Sequence, residues 1–276
     1  MPPPPGPERL RLDRALVGRG LARSRGHARE LVDDGHVTLD GVTARKAGLV
    51  VAADVDIQVT DGLPRWVGRA AGKLDGALRR LGETGPQVRG GRCIDLGAST
   101  GGFTQVLLER GAAHVVALDV GHDQLAPALR DHPRVTDRSG TTVRGLSPED
   151  VGAPFDLVVA DLSFISLRLV LPEVAGLMAA DGDAVLLLKP QFEVGREGLG
   201  PRGVVRDPGR RRDAVLAVLA DVVALELSVL AVLPSDVVGS EGNREYVVHL
   251  TRRIGVGRSW QALRDAVDEL VGAETR

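Results

Sequence analysis

Asp95-Leu96-Gly97-Ala98-Ser99-Thr100-Gly101-Gly102-Phe103 is the stretch whose reading decides the fold. Apolar Cys93 and Ile94 precede it, Asp95 marks a strand end, and three glycines crowd the turn into the next helix. Glycine lets backbone approach a ligand closely and adopt positive φ. Open α/β sheets bind ligands outside the carboxyl ends of their strands. Dinucleotide enzymes seat a pyrophosphate on G-x-G-x-x-G. The spacing here is G-x-x-x-G-G, which argues against a nicotinamide oxidoreductase. Asp119 lies 17 residues past Gly102 and closes the next apolar run, Ala113 to Leu118. A carboxylate there can accept both ribose hydroxyls of an adenosine. The loop and the acidic strand end together predict a nucleoside cofactor without a diphosphate. The competing account, an ordinary tight strand-to-helix turn, leaves the register of Asp119 unexplained.

Outward from the loop, apolar runs predict strands at 92–96, 114–118, 156–160, 183–188, 225–233 and 244–251, with a weaker one near 133–137. Helical spacing falls between them, at 102–110, 122–131, 166–179 and 208–222, and a closing helix spans about 258–273. This alternation predicts a parallel sheet covered by helices on both faces. The last two strands lack a helix between them, so one is expected to run antiparallel. Upstream, a helix is expected from about Lys73 to Leu81.

The amino-terminal part reads differently. Leu12, Ala15 and Leu16 share a helical face that Gly20 stops, and Ser24 can cap a second helix carrying Ala28, Leu31 and Val32. Val37 and Leu39 then alternate with polar residues, Asp40-Gly41 makes a tight turn, and Val55, Ile57 and Val59 alternate again. The expected division is a disordered tail at 1–8, a small α+β unit at 9–59, a linker at 60–72 and a Rossmann-like α/β domain at 73–276.

Composition narrows the function classes. The 276 residues are 43% hydrophobic with a net charge of −2, so the molecule is no polycation, and nucleic-acid binding would need local clustering. Cys93 is the sole cysteine, which excludes an internal disulfide and fits a reducing, cytoplasmic setting. The Met1-Pro2-Pro3-Pro4-Pro5 start lacks the apolar region of a secretion signal. Ala214 to Leu233 approaches bilayer length, but Asp221, Glu226 and Ser228 interrupt it. A charge at that depth costs about 3 kcal/mol. The stretch is read as a buried helix followed by a buried strand, and no membrane partner or metal site is expected.

Of 35 basic residues only Lys46, Lys73 and Lys189 are lysines. A lysine that survives in so arginine-rich a chain is favoured where arginine does not serve, because lysine can lose its proton when buried. Lys189 ends the apolar strand Ala184 to Leu188, and Asp161 ends Asp156 to Ala160. The two form either a structural ion pair or a base poised beside a carboxylate. Burial lowers the lysine pKa and the aspartate raises it again.

Between Arg9 and Arg29 seven arginines, Arg9, Arg11, Arg14, Arg19, Arg23, Arg25 and Arg29, are opposed only by Asp13. Such clustering is an electrostatic footprint for phosphates. Aromatics are scarce at 3%, which favours recognition of RNA shape and backbone over base stacking. A second basic stretch holds Arg196, Arg202, Arg206, Arg210, Arg211 and Arg212 among glycines, and is expected to be a mobile loop that closes on RNA.

Four motifs now make a specific resemblance: Gly97 to Thr104, Val159-Ala160-Asp161-Leu162-Ser163-Phe164-Ile165-Ser166, Lys189-Pro190-Gln191-Phe192-Glu193-Val194-Gly195 and Gly242-Asn243-Arg244-Glu245-Tyr246. The chain resembles the TlyA (haemolysin A-like) family of ribosomal-RNA 2′-O-ribose methyltransferases, with a catalytic domain similar to the FtsJ/RrmJ group. Arg11-Leu12-Asp13, Ser24-Arg25 and Gly35-His36-Val37 make the first unit resemble the S4 RNA-binding fold.

The resemblance implies a class I methyltransferase domain, S-adenosylmethionine as cofactor and a Lys73, Asp161, Lys189, Glu245 catalytic set. It implies methylation of cytidines in 16S or 23S ribosomal RNA, by a monomer acting on ribosomal subunits. Cofactor contacts are expected at Asp95, Gly97, Ala98, Ser99, Thr100, Gly101, Gly102, Phe103, Asp119, Val120 and Asp161. RNA contacts are expected at the seven arginines above, Ser24, Arg65, Arg69, Arg196 and Arg202. Two segments depart from the family pattern: the linker Pro64-Arg65-Trp66-Val67, and Arg138-Ser139-Gly140-Thr141-Thr142 after the third strand. Two other accounts remain at this stage, a non-enzymatic RNA-binding protein and a membrane-lytic haemolysin.

Overall fold

Cys93-Ile94-Asp95-Leu96 becomes the heart of a seven-stranded sheet. In the computed structural model, the described residues are 9–22, 24–33, 35–59 and 66–274, and the chain divides into two units, Met1–Arg69 and Ala70–Arg276. Arg23, Arg65, the rest of 60–65, the tail at 1–8 and the Arg196 side chain lie outside the described part.

The larger unit strings together β6 (Arg92–Leu96), β7 (His114–Asp119), β8 (Val135–Ser139), β9 (Phe155–Ala160), β10 (Met178–Leu188), β11 (Ser228–Pro234) and β12 (Tyr246–Thr251). In space their order is β11-β12-β10-β9-β6-β7-β8. The ladders among β8, β7, β6, β9 and β10 are parallel, and β12 runs antiparallel between β10 and β11. Ile94, Leu96, Val158, Ala160, Leu186 and Leu188 are buried, as central strands covered on both faces require. Strand order reverses between β6 and β9, the switch point at which open α/β sheets form their ligand crevice.

Helices α3 (Ala70–Leu81) and α4 (Gly102–Glu109) pack together, α7 (Leu171–Leu177) lies on β9 and β10, and α9 (Pro208–Ala224) and α10 (Trp260–Ala273) lie on β11. The membrane-length stretch 214–233 is thus split between α9 and β11, and no described helix is long and apolar enough to cross a membrane. Short helices α5 (Pro127–Arg130), α6 (Pro148–Val151) and α8 (Pro190–Glu193) complete the unit.

Two helical expectations need correction, and proline explains both. The helix expected at 122–131 shrinks to α5, because Pro127 sits in its first turn and disfavours helical backbone before it. The helix expected at 166–179 begins at Leu171, with Pro172 in its first turn, and at Met178 the chain has already become strand. The strand expected from 225 starts at Ser228, after a turn in which Glu226 adopts φ +60°.

The smaller unit contains α1 (Leu12–Gly18) and α2 (Arg25–Asp33), with Leu12, Leu16, Ala28, Leu31, Val32, Val37 and Ile57 in its core. A sheet of order β3-β2-β5 comprises β2 (Val37–Leu39), β3 (Val42–Thr43) and β5 (Ile57–Val59). Asp40 and Gly41 both take positive φ in the β2–β3 turn, as a primed hairpin turn demands. The sequence reading missed one pairing: β1 (Arg9–Arg11) runs antiparallel to β4 (Val50–Ala52).

Candidate active site

The glycine loop leaves β6 at the switch point. Gly97 N and Ala98 N donate to Leu118 O at 2.8 and 3.0 Å, which ties the loop to the end of β7. Gly97 has φ +84°, and a Cβ there would lie 2.8 Å from the Asp161 carbonyl oxygen, so backbone meets backbone. Gly101, at φ +97°, caps α4.

Asp95 beneath the loop has no exposed surface. Its Oδ2 accepts from Thr104 N (2.9 Å) and Thr104 Oγ1 (2.7 Å), while Oδ1 has no partner. Burial pushes this carboxyl up to about 7 against the pull of the Thr104 bonds. Ala98, Thr100, Gly101, Gly102 and Phe103 are likewise buried, and within the loop only Gly97 and Ser99 are partly open. Asp119 is partly exposed. It accepts from Ser99 N at 2.8 Å through Oδ2 and from Gly121 N at 2.7 Å through Oδ1. Val120 beside it is 72% exposed, an apolar surface at a strand tip. The departing segment packs on the same corner, where Gly140 N donates to Gly121 O and Thr141 N to Asp119 O.

Next to the loop, four charged side chains converge from four elements. Lys73 comes from α3, Asp161 follows β9, and Lys189 follows β10. Glu245 precedes β12, whose antiparallel course brings its beginning to the carboxyl ends of its neighbours, Tyr246 pairing with Leu188. Lys73 Nζ lies 2.7 Å from Glu245 Oε2 and 3.6 Å from Asp161 Oδ2. Lys189 Nζ lies 2.6 Å from Asp161 Oδ1 and donates to Ser163 Oγ at 2.9 Å. Lys73, Lys189 and Glu245 are buried, so the two cations and two anions neutralise one another where water is scarce. Burial acts to raise the Asp161 carboxyl pKa, but Lys189 and then Lys73 outweigh it and hold the group below its ordinary value. The structure therefore contains the Lys189–Asp161 ion pair, and it places that pair at the switch-point end of the sheet.

Three further residues belong to the quoted motifs but have no role assigned from sequence. Ser163 accepts from Lys189. Phe164 is 92% exposed at φ +64°, and its ring centroid lies 5.4 Å from that of Phe192. Gln191 Nε2 reaches Glu245 Oε1 at 3.4 Å. An aromatic residue just past a strand end, in a chain so poor in aromatics, was the available signal for Phe164.

The arginines divide by environment. In the small unit, buried Asp13 accepts from Arg11 Nε and Nη2 at 3.1 Å and from Arg25 Nη2 at 3.0 Å, which keeps its carboxyl at about 2. Both arginines remain about half exposed. Arg19 donates to the carbonyls of Val55 (2.7 Å) and Ala53 (2.6 Å), so part of its donor set is already engaged. Ser24 Oγ accepts from His27 N, which is the expected helix cap. Arg9, Arg14 and Arg29 are exposed and Arg69 is half-buried.

In the larger unit Arg202 is exposed at φ +65°. Arg211 does not belong to the basic surface read from the sequence. It is buried, donates to Val205 O and Arg206 O at 3.0 Å each, and pairs with Glu274 at 3.3 Å. Asn243 holds the same loop, accepting from Val205 N (3.2 Å) and donating to Gly203 O (3.1 Å).

Comparison with known proteins agrees with this geometry. Residues 66–252 match the FtsJ-like methyltransferase family model and residues 10–57 match the S4 domain model. The Mycobacterium tuberculosis (H37Rv) protein named 16S/23S rRNA (cytidine-2′-O)-methyltransferase TlyA is 49% identical over 95% of this chain and 97% of its own length. The Campylobacter jejuni 23S rRNA (cytidine-2′-O)-methyltransferase TlyA is 34% identical over 84% of this chain and 95% of its own. A solved Streptococcus thermophilus protein bearing a hemolysin name superposes with a TM-score of 0.73 at 32% identity, covering 98% of this chain and 97% of that one. With its four converging charges beside a glycine loop, an S4 unit ahead of them and relatives matched along nearly their whole length, this chain belongs to the TlyA family of FtsJ-like methyltransferases.

Proposed function

We propose that the protein transfers a methyl group from S-adenosylmethionine to the ribose 2′-oxygen of a cytidine in ribosomal RNA, acting on ribosomal subunits. The observation that carries this reading is buried Lys189, held between Asp161 and Ser163 at the carboxyl end of β10. The residues present fit the cofactor. Neither Gly97 nor Gly101 has room for a Cβ, Asp119 stands at the tip of the neighbouring strand, and exposed Val120 offers an adenine an apolar face. S-adenosylmethionine supplies a methyl group on a cationic sulfur that is already a good leaving group.

The chain then has to orient a hydroxyl and manage its proton, and orientation supplies most of the acceleration. Lys73 and Glu245 position the ribose. Asp161 orients Lys189, whose Nζ takes the hydroxyl proton or, kept charged by Asp161, steadies the oxygen that loses it. Phe164, standing out beside Phe192, offers a face for the base of an unstacked nucleotide. The S4 unit grips RNA backbone through Arg9, Arg14 and Arg29 and the exposed parts of Arg11 and Arg25.

Mass mapping of 2′-O-methyl sites in ribosomal RNA, from cells with and without this protein, tests the reading. At least one cytidine methylation should vanish in its absence, and an unchanged map refutes it. The loop makes its own prediction. Gly97→Ala places a methyl against the Asp161 carbonyl at a φ that L-residues rarely adopt. It should weaken S-adenosylmethionine binding by about tenfold or more, since the strain costs about 1–3 kcal/mol. Titration calorimetry that returns the unaltered affinity would contradict this use of the loop.

A further inference from the structure

The loop after β9 and the loop after β10 both feed the catalytic cluster, and the proposed chemistry leaves one connection between them unused. Glu193, in α8, is half-buried and directed back at the first loop. Its Oε2 accepts from Ser166 Oγ at 2.5 Å and its Oε1 from Leu167 N at 2.8 Å. Ser166 Oγ in turn accepts from Arg168 N, closing the turn that ends the loop. Asp161, Ser163 and Phe164 lie between the end of β9 and these anchors. The Glu193 side of the bridge begins at Lys189, whose carbonyl accepts from Phe192 N at 2.9 Å. One carboxylate thus braces the segment bearing Asp161, Ser163 and Phe164 against the segment bearing Lys189 and Phe192.

We propose that Glu193 is a positioning residue for methyl transfer, a two-pronged brace that holds the Asp161–Ser166 loop in register with Lys189. The inference rests on the ribose-methylation reading of the site. The geometry explains why a carboxylate is used. It offers two acceptor oxygens side by side, matched to one hydroxyl and one backbone N–H, at a place where an unpaired N–H would be costly. Loss of the brace frees the loop to shift while β9 and β10 stay fixed by their ladder. The glycine loop and Asp119 are untouched, and Asp161 stays tied to β6 by its own N–H on Leu96 O (3.1 Å), so the shift falls on Ser163 to Ser166 and cofactor binding should not follow.

The test uses the full chain, with ribosomal subunits lacking the modification as substrate. A misplacement of about 1 Å costs about a hundredfold in rate, so Glu193→Ala should lower kcat by about that factor and leave the S-adenosylmethionine Kd within about twofold. Glu193→Gln should recover most of the rate, because its amide oxygen accepts from Leu167 N and its amino group can donate to Ser166 Oγ. Ser166→Ala removes one prong and should cost about tenfold, which keeps the test decisive if Glu193→Ala folds poorly. The proposal is overturned if Glu193→Ala turns over at the unaltered rate, if Glu193→Gln is as slow as Glu193→Ala, if Ser166→Ala is silent, or if the loss appears in cofactor Kd. Full activity of a Lys189→Ala protein in the same assay would strike the underlying reading instead, so the two failures are distinguishable.

Discussion

Lys189→Ala is expected to reduce methyl transfer by about 10²- to 10⁴-fold, the range associated with losing a positioned acid–base group. Cofactor affinity should stay near the unaltered value, because Lys189 bonds to Asp161 and Ser163 and not to the glycine loop. Asp161 keeps Lys73 at 3.6 Å, so its charge is not left unpaired and the protein should remain folded. Lys189→Arg sharpens the result. A guanidinium does not give up its proton in a protein, so an arginine variant retaining much of the rate would assign Lys189 the electrostatic role, and a dead one the proton-accepting role. Single-turnover transfer of labelled methyl to ribosomal subunits measures both. Full transfer by the alanine variant removes Lys189 from the chemistry.

Glu245→Ala should destabilise the larger unit by about 3 kcal/mol, at the low end of what breaking a buried pair costs. Lys73 is 4% exposed, and its short contact, 2.7 Å, is to Glu245; Asp161 stands farther off and is shared with Lys189. For a unit of this size such a loss lowers Tm by about 6–12 °C. Replacing both partners by apolar residues of similar volume, Lys73→Met with Glu245→Leu, should restore most of the stability, because no charge is then left unpaired. The double variant should remain inactive. Thermal unfolding of the singles and the double separates the two roles. A double variant no more stable than the singles would show that close packing of Glu245 against Gly239, where no Cβ fits, sets the stability rather than the ion pair.

What the sequence made legible follows the reach of each physical signal. The buried parallel strands announce themselves as apolar runs, and the glycine loop through its spacing. The scarcity of lysine pointed to Lys73 and Lys189 because it records where arginine was not substituted, and both meet at Asp161. Lys46, the third, is exposed in the smaller unit and is not one of the four cluster residues. The β1–β4 pairing was invisible because Arg9-Leu10-Arg11 is exposed throughout and has no buried face to create alternation. Arg11 and Arg25 looked like free phosphate ligands, yet both bond to Asp13. The acid that seemed merely outnumbered is the residue that aligns them. Ser163, Glu193 and Arg211 act through contacts between residues 5 to 63 positions apart, which no periodicity in the chain reports.

The antiparallel course of β12 has a consequence for how the protein comes into being. Glu245 reaches the cluster from a position 172 residues beyond Lys73. Chains emerge from the ribosome amino end first. The S4 unit and the glycine loop are therefore outside long before the fourth charged residue, and Lys73 waits for its partner until β12 has been made. On the proposed reading, a nascent chain has the residues to grip RNA before it has those to modify any. The cluster is therefore completed only after the 172 residues that separate Lys73 from Glu245 have been made.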